Sequence, residues 1–202
     1  MEPTEPRSAR DVFVVHGRDE QLREEFFDFL RALDLRPLEW ETIVAATGQT
    51  APSLLTVILT ALKHAQAIVV LLSPDDMVQL HPSLREPREP VQEVSPMMQP
   101  RPNVLVELGM ALASCPEQTI VVEVGHLRPV ADLGGLNVIR LDTGEVALGK
   151  LVQRLRLAGC DVDDGGSDWR DGRRFASLVA HDRRPVRSGW IGGLYRLGRV
   201  HR

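Results

Sequence analysis

The chain has only two cysteines in 202 residues, Cys115 and Cys160. That is too few for a disulfide framework, and they lie too far apart for a CxxC redox or zinc motif, so both read as reduced thiols. The six histidines fall into no metal-ligand spacing, and no metal site is expected. No apolar run approaches the roughly 18–20 residues that cross a bilayer. The opening Met-Glu-Pro-Thr-Glu-Pro lacks the basic and apolar segments of a secretory signal. These absences argue against a membrane or secreted class and point to the cytoplasm. A basic surplus is also missing, since the formal net charge is −4. An acidic body is a poor partner for phosphate backbones, so nucleic acid is not an expected ligand. The charge is unevenly placed, however: Gly165 to Arg202 holds nine arginines against Asp168, Asp171 and Asp182. This arginine- and glycine-rich stretch reads as a separable, solvated tail.

With 43% hydrophobic residues, the chain can bury one proper core. Residues 1–10 carry no periodicity and read as a disordered lead-in. Val12-Phe-Val-Val15 is a short β-branched strand closed by His16-Gly17, and Leu22, Phe26, Phe29, Leu30 and Leu33 then follow helical spacing. Ligands of parallel α/β sheets bind beyond the carboxyl ends of the strands, which makes the turn from His16 to Glu20 a candidate site. Capping or turn structure is the alternative for His16. Pro37 to Trp40 reads as a second strand and Glu41 to Ser53 as a loop. Its Thr47-Gly-Gln-Thr50 lacks the lysine of a phosphate loop.

Leu54 to Leu62 form a helix, and Ala67-Ile-Val-Val-Leu-Leu72 is a continuous apolar strand of the kind buried in parallel sheets. It ends in Ser73-Pro-Asp-Asp76, which reads as helix-start chemistry or as ribose or metal contacts. Residues 77–102, with six prolines, read as a long loop. Gln118 to Val124 and Asn137 to Leu141 supply a fourth and fifth strand, and Glu145 to Leu157 a last helix. The alternation predicts about five parallel strands flanked by helices over residues 11–162, with a poorly ordered tail over 163–202. A short helix over Phe175 to Ala180 remains open.

The stretch from Arg101 to Ser114 stands apart. Val104, Leu105, Val106, Leu108, Met110, Ala111, Leu112 and Ala113 point in almost every direction around a helix axis, with Asn103 as the expected N-cap. Such a helix should be buried, and its one charged residue is Glu107. An ionised group there is costly unless something meets it, and perturbed carboxylates of this kind concentrate in functional clefts. The alternative is a first-turn glutamate favoured by the helix dipole.

Val12-Phe-Val-Val-His-Gly-Arg-Asp-Glu20, Ala67-Ile-Val-Val-Leu-Leu-Ser-Pro-Asp-Asp76 and Arg101-Pro-Asn-Val-Leu-Val-Glu-Leu-Gly109 together resemble the bacterial predicted-nucleotide-binding TIR-like family. That family includes the TIR effector domains of CBASS and Pycsar antiphage systems. The resemblance extends through Asp132-Leu-Gly-Gly135 and Arg140-Leu-Asp142 to about Val162. It implies a flavodoxin-like TIR fold and, in active members, hydrolysis of NAD⁺ at the nicotinamide–ribose bond, with NAD⁺ as substrate and no cofactor. Glu107 falls on the family's catalytic glutamate. Asn103, one turn earlier, shares its side of the helix, and His16, Arg18, Trp40, Ser73 and Asp75 are further substrate-binding candidates by their place at strand ends.

Two departures follow from the resemblance. No stretch is patterned as the cyclic-nucleotide sensor fused to the best-known members, and TIR enzymes generally complete their sites in assemblies, so self-assembly or an activating partner is expected. A non-catalytic nucleotide-binding or assembly module, and a nucleoside deoxyribosyltransferase-like enzyme, are the competing functions.

Overall fold

The computed structural model describes residues 8–141 and 145–186. The lead-in over residues 1–7, the Asp142 end of the last strand motif and the arginine-rich end beyond residue 186 lie outside the described residues.

Five strands form one parallel sheet: β1 (Asp11–Val15), β2 (Arg36–Pro37), β3 (Ala67–Leu72), β6 (Thr119–Glu123) and β7 (Ile139–Arg140), in the order β2-β1-β3-β6-β7. β1 and β3 are buried along their whole length, which is why they read as unbroken apolar runs rather than as alternating ones. The chain reverses its direction of winding between β1 and β3, the place where this topology opens a ligand crevice. β2 has only two residues, but its Arg36 grips Asp11 with a two-pronged bond of 2.6 and 2.8 Å at the start of β1.

Helices cover both faces. On one, α1 (Glu20–Ala32) and α6 (Glu145–Leu157) bury Phe26, Phe29, Leu148 and Leu151 against Val12, Val14, Val69 and Val122. On the other, α2 (Trp40–Ala46), α3 (Leu54–His64) and α5 (Pro102–Ser114) pack Ile43, Ile58, Leu62, Val104 and Leu108 against Phe13, Val15, Ile68 and Val70. No helix among the described residues is long and apolar enough to cross a membrane.

Several expectations change. Trp40 is not the end of a strand: it opens α2, inside the stretch read as a loop. Trp40, Ile43, Val44 and Thr47 hold helical spacing, a signal masked by the Gly and Thr content that follows. Ser73-Pro-Asp75 starts no helix, because the Ser73 hydroxyl donates to Asp75 instead of capping a turn. The proline-rich stretch holds a small antiparallel pair, β4 (Asp76–Val78) with β5 (Met97–Gln99), and a single turn, α4 (Val91–Val94). Asn103 does not cap α5. Pro102 takes the first helical position, where its missing N–H costs nothing, and Arg101 becomes the N-cap. Nor is α5 buried all round: Val104, Leu108 and Ala111 form one buried stripe, while Val106 is 64% exposed.

Residues 163–186, read from sequence as the first part of a poorly ordered tail, pack onto the domain. A 3-10 turn (Asp168–Arg170), α7 (Arg173–Ala176) and a second 3-10 turn (Val179–His181) carry Trp169, Phe175, Leu178 and Ala180 into the α1 side of the core. Phe175 is fully buried, with its ring 6.3 Å from that of Phe26 and 5.9 Å from that of Phe29. Gln21 fastens the strap further, its side chain bonding both the Ser177 carbonyl and the Val179 N–H. Single anchors separated by arginines and glycines have no period, so the sequence pattern could not reveal them.

Candidate functional site

Beyond the end of β1 the chain turns through His16-Gly17-Arg18-Asp19. Asp19 is the N-cap of α1, its Oδ1 accepting from the Leu22 N–H at 3.0 Å. Beyond β3, Asp75 reaches across to the same turn. Its Oδ2 accepts from the Arg18 backbone N–H at 3.0 Å, and its Oδ1 from the Ser73 hydroxyl at 2.9 Å. Gly17 makes this approach possible, since a Cβ there would lie 1.6 Å from Asp75 Oδ2. Arg101, just before α5, is the third neighbour of Gly17 and pairs with Asp76 at 3.3 Å. The ends of β1 and β3 and the start of α5 are therefore laced together at the switch point of the sheet.

Of the candidate binding residues, His16, Arg18, Ser73 and Asp75 meet here, with different contributions. Arg18 gives its backbone N–H, while its side chain lies in an exposed residue. Ser73 is buried and spends its hydroxyl on Asp75. His16 sits edge-on to Phe27 with its Nδ1 3.0 Å from the Gly17 carbonyl. Burial holds its pKa below the ordinary imidazole value, with Arg23 adding to the effect, so the ring is neutral at pH 7. Trp40, 45% exposed at the start of α2, shares no hydrogen bond or ion pair with this cluster among the described residues.

A residue that sequence reasoning missed completes the corner. Arg183, at the end of the C-terminal strap, places its guanidinium 3.0 Å from Asp19 Oδ2 and 3.6 Å from Asp75 Oδ1, and donates to the Pro74 carbonyl at 3.3 Å. The two carboxylate side chains are only 6% and 5% exposed. One cation thus serves two enclosed anions from opposite sides of the crevice. The strap is seated closely, because a Cβ on Gly125 would come within 2.4 Å of the Ala180 carbonyl oxygen. Asp19 was legible as a cap before a helical run; Arg183, far along the chain in an aperiodic stretch, had no local signal.

Removing that cation leaves both carboxylates uncompensated. Arg183→Met is expected to lower unfolding free energy by about 2–3 kcal/mol, less than the roughly 3–5 kcal/mol of a fully enclosed pair because Arg183 itself touches water. Urea denaturation measures this, and an unchanged midpoint would show that the strap carries no electrostatic load.

Glu107 lies on the second turn of α5, about 8 Å along the axis from Pro102. It flanks the buried stripe of Val104, Leu108 and Ala111 on the side that also carries Asn103. Asn103 itself is exposed. The Glu107 carboxylate is half-buried, and among the described residues no hydrogen bond or ion pair meets it. Burial alone raises its pKa above the ordinary glutamate value. These acidic residues thus differ in kind: Asp19 and Asp75 are committed to internal partners, whereas Glu107 meets none among the described residues.

The raised pKa fixes the sign of a stability effect. A carboxyl that binds its proton more tightly folded than unfolded contributes stability below its unfolded pKa, and that contribution is lost as pH rises through the folded value. Ionised Glu107 is a burden at neutral pH. Glu107→Gln should therefore raise the melting temperature at pH 7, with the gain shrinking towards pH 4; a larger gain at pH 4 would reverse the account.

Neither cysteine joins the site. Burial pushes the Cys160 thiol up to about 12, and Cys115 lies at the far end of α5. Among the described residues no three His, Cys, Asp or Glu side chains converge as metal ligands.

Comparison with known proteins adds one finding. A family model described as CAP12/Pycsar effector protein, TIR domain, matches residues 11–143, which takes in β1, β3, the laced turns and the whole of α5 and leaves the strap outside. No curated protein matches the chain.

Proposed function

The chain belongs to the TIR-domain family of CAP12/Pycsar effector proteins, and from that premise we propose that it is an NAD⁺ glycohydrolase of cytoplasmic antiphage defence, with Glu107 as its catalytic carboxylate. The observation that carries this reading is a half-buried carboxylate that meets no partner among the described residues, on the helix that begins at the switch point of the sheet.

The chemistry asks little of the protein. In NAD⁺ the nicotinamide nitrogen is already cationic. When its bond to ribose C1′ breaks, the electron pair stays on nitrogen, nicotinamide leaves neutral, and no general acid is required. Positive charge gathers on the ribose as an oxocarbenium-like centre. A carboxylate in a partly desolvated position stabilises that charge more than it would in water. Water then adds to C1′ and releases a proton, giving ADP-ribose. Asn103, beside Glu107 on the helix, fits a role in orienting the ribose hydroxyls. Neutral His16 fits a hydrogen-bonding rather than a charge-bearing role.

Self-assembly belongs to the same proposal. Trp40 on α2, Leu54 and Leu55 on α3 and Val106 on α5 are all large exposed apolar residues on helices of the Glu107 face. Exposed apolar side chains in such numbers suit contact with another protein surface. They also favour the runner-up, a non-catalytic assembly module.

Incubation with NAD⁺, with nicotinamide and ADP-ribose quantified, tests the reading. Equal activity in the Glu107→Ala protein would sink it, and turnover of free nucleosides in place of NAD⁺ would indicate a deoxyribosyltransferase-like enzyme instead.

A further inference from the structure

The carboxyl ends of β6 and β7 open into a second recess. Its volume is about 560 Å³, within the roughly 300–1,000 Å³ of small-molecule sites. The loop after β6 forms most of its lining, the first turns of α6 form one wall, and Glu107 is not among the lining residues.

The recess is held open by its own framework. The Arg128 N–H donates to the Met98 carbonyl at 2.7 Å, and the Arg128 guanidinium pairs with Glu93. At the other end of the loop, Arg154 Nη1 donates to the Asn137 carbonyl at 2.8 Å. Both ends of the loop are thereby tied to neighbouring elements, and a ligand would not have to order it.

The lining divides by chemistry. Leu72, Leu133 and Val138 supply an apolar floor, while Arg140 and Lys150 stand at the rim with Glu123. Arg140 reaches Glu123 only at 3.4 Å and its side chain is 84% exposed, so this is a weak pair that an incoming anion can replace. Among the described residues Lys150 meets no carboxylate. Two flexible cations at the rim of an apolar floor suit an anionic partner.

We propose that this recess is a second ligand site, for a small organic anion that joins a flat, largely apolar body to a phosphate, the chemistry of a nucleoside monophosphate. The flat body lies on the Leu133 and Val138 floor, Asn137 and Glu123 meet the polar edges of the base, and Arg140 and Lys150 take the phosphate. The proposal does not depend on catalysis at Glu107.

The test is a titration of the full chain with AMP, followed by calorimetry and by methyl NMR, with adenosine and inorganic phosphate as separate arms. AMP is expected to bind at least tenfold more tightly than either part, with the Leu133 and Val138 methyls shifting. Lys150→Glu should weaken AMP at least tenfold, and Glu107→Gln should bind it as the wild type does. Lys150 is exposed, so its substitution leaves the core untouched; Arg140→Glu, also exposed, repeats the test should the first variant lose its fold. No binding at millimolar AMP, shifts confined to α5, affinity unchanged in both rim variants, or phosphate binding as tightly as AMP would each overturn the proposal.

Discussion

Glu107→Gln is expected to lower nicotinamide release from NAD⁺ by on the order of 10³-fold or more, roughly 4 kcal/mol of transition-state stabilisation. Glutamine keeps the shape and most of the hydrogen-bonding capacity of glutamate and removes only the charge. A large loss would therefore assign the effect to electrostatics at the developing oxocarbenium centre rather than to packing. The loss should fall on kcat more than on KM, because the full ribose charge exists only in the transition state. The wild-type rate should rise with pH as Glu107 ionises, along a limb displaced upward from the ordinary glutamate value by the burial that raises its pKa. The same substitution should make the protein more heat-stable at pH 7. Loss of activity joined to gain of stability is the signature of a group kept for chemistry at a cost to the fold.

Phe175→Ala should destabilise the protein by about 3–5 kcal/mol, the usual cost of emptying a fully buried aromatic site. For a domain of this size that corresponds to a fall of about 6–20 °C in Tm. The ring is enclosed by Phe26 and Phe29 of α1, which also bears Asp19 at its cap. Loosening Phe175 should therefore also slacken Arg183 at the crevice. If residues 163–186 were a solvated tail, the substitution would be silent in a thermal melt. The size of the shift thus decides whether the strap is part of the domain or an appendage.

The sheet was legible because its central strands are extreme: Ala67 to Leu72 contains no polar residue, and Val12 to Val15 is nearly as plain. Burial on both faces leaves that trace in any sequence. The helices α1, α3 and α6 were legible through their spacing and ends, whereas α2 was hidden by the threonines and glycine that follow it. The helix α5 is buried along one stripe and not all round. Apolar residues at every angle predict burial, yet only the Val104, Leu108 and Ala111 stripe meets the sheet and Val106 faces outward.

At the site, Glu107 was legible as a lone charge in an apolar run, while the use made of Asp75 was not. Its tie to Arg18 needs the side-by-side register of β1 and β3, which no local pattern encodes. Arg183 was the least legible, since its partners lie more than a hundred residues away and nothing around it repeats.

The central claim meets its most direct test in nicotinamide release from NAD⁺, measured for the wild type and Glu107→Gln at matched concentrations across a wide range of protein. Release by the wild type should grow more steeply than in proportion to protein, as exposed apolar faces associate, and release by Glu107→Gln should stay at background throughout. Equal release by the two proteins, or none from the wild type at any concentration, would contradict it.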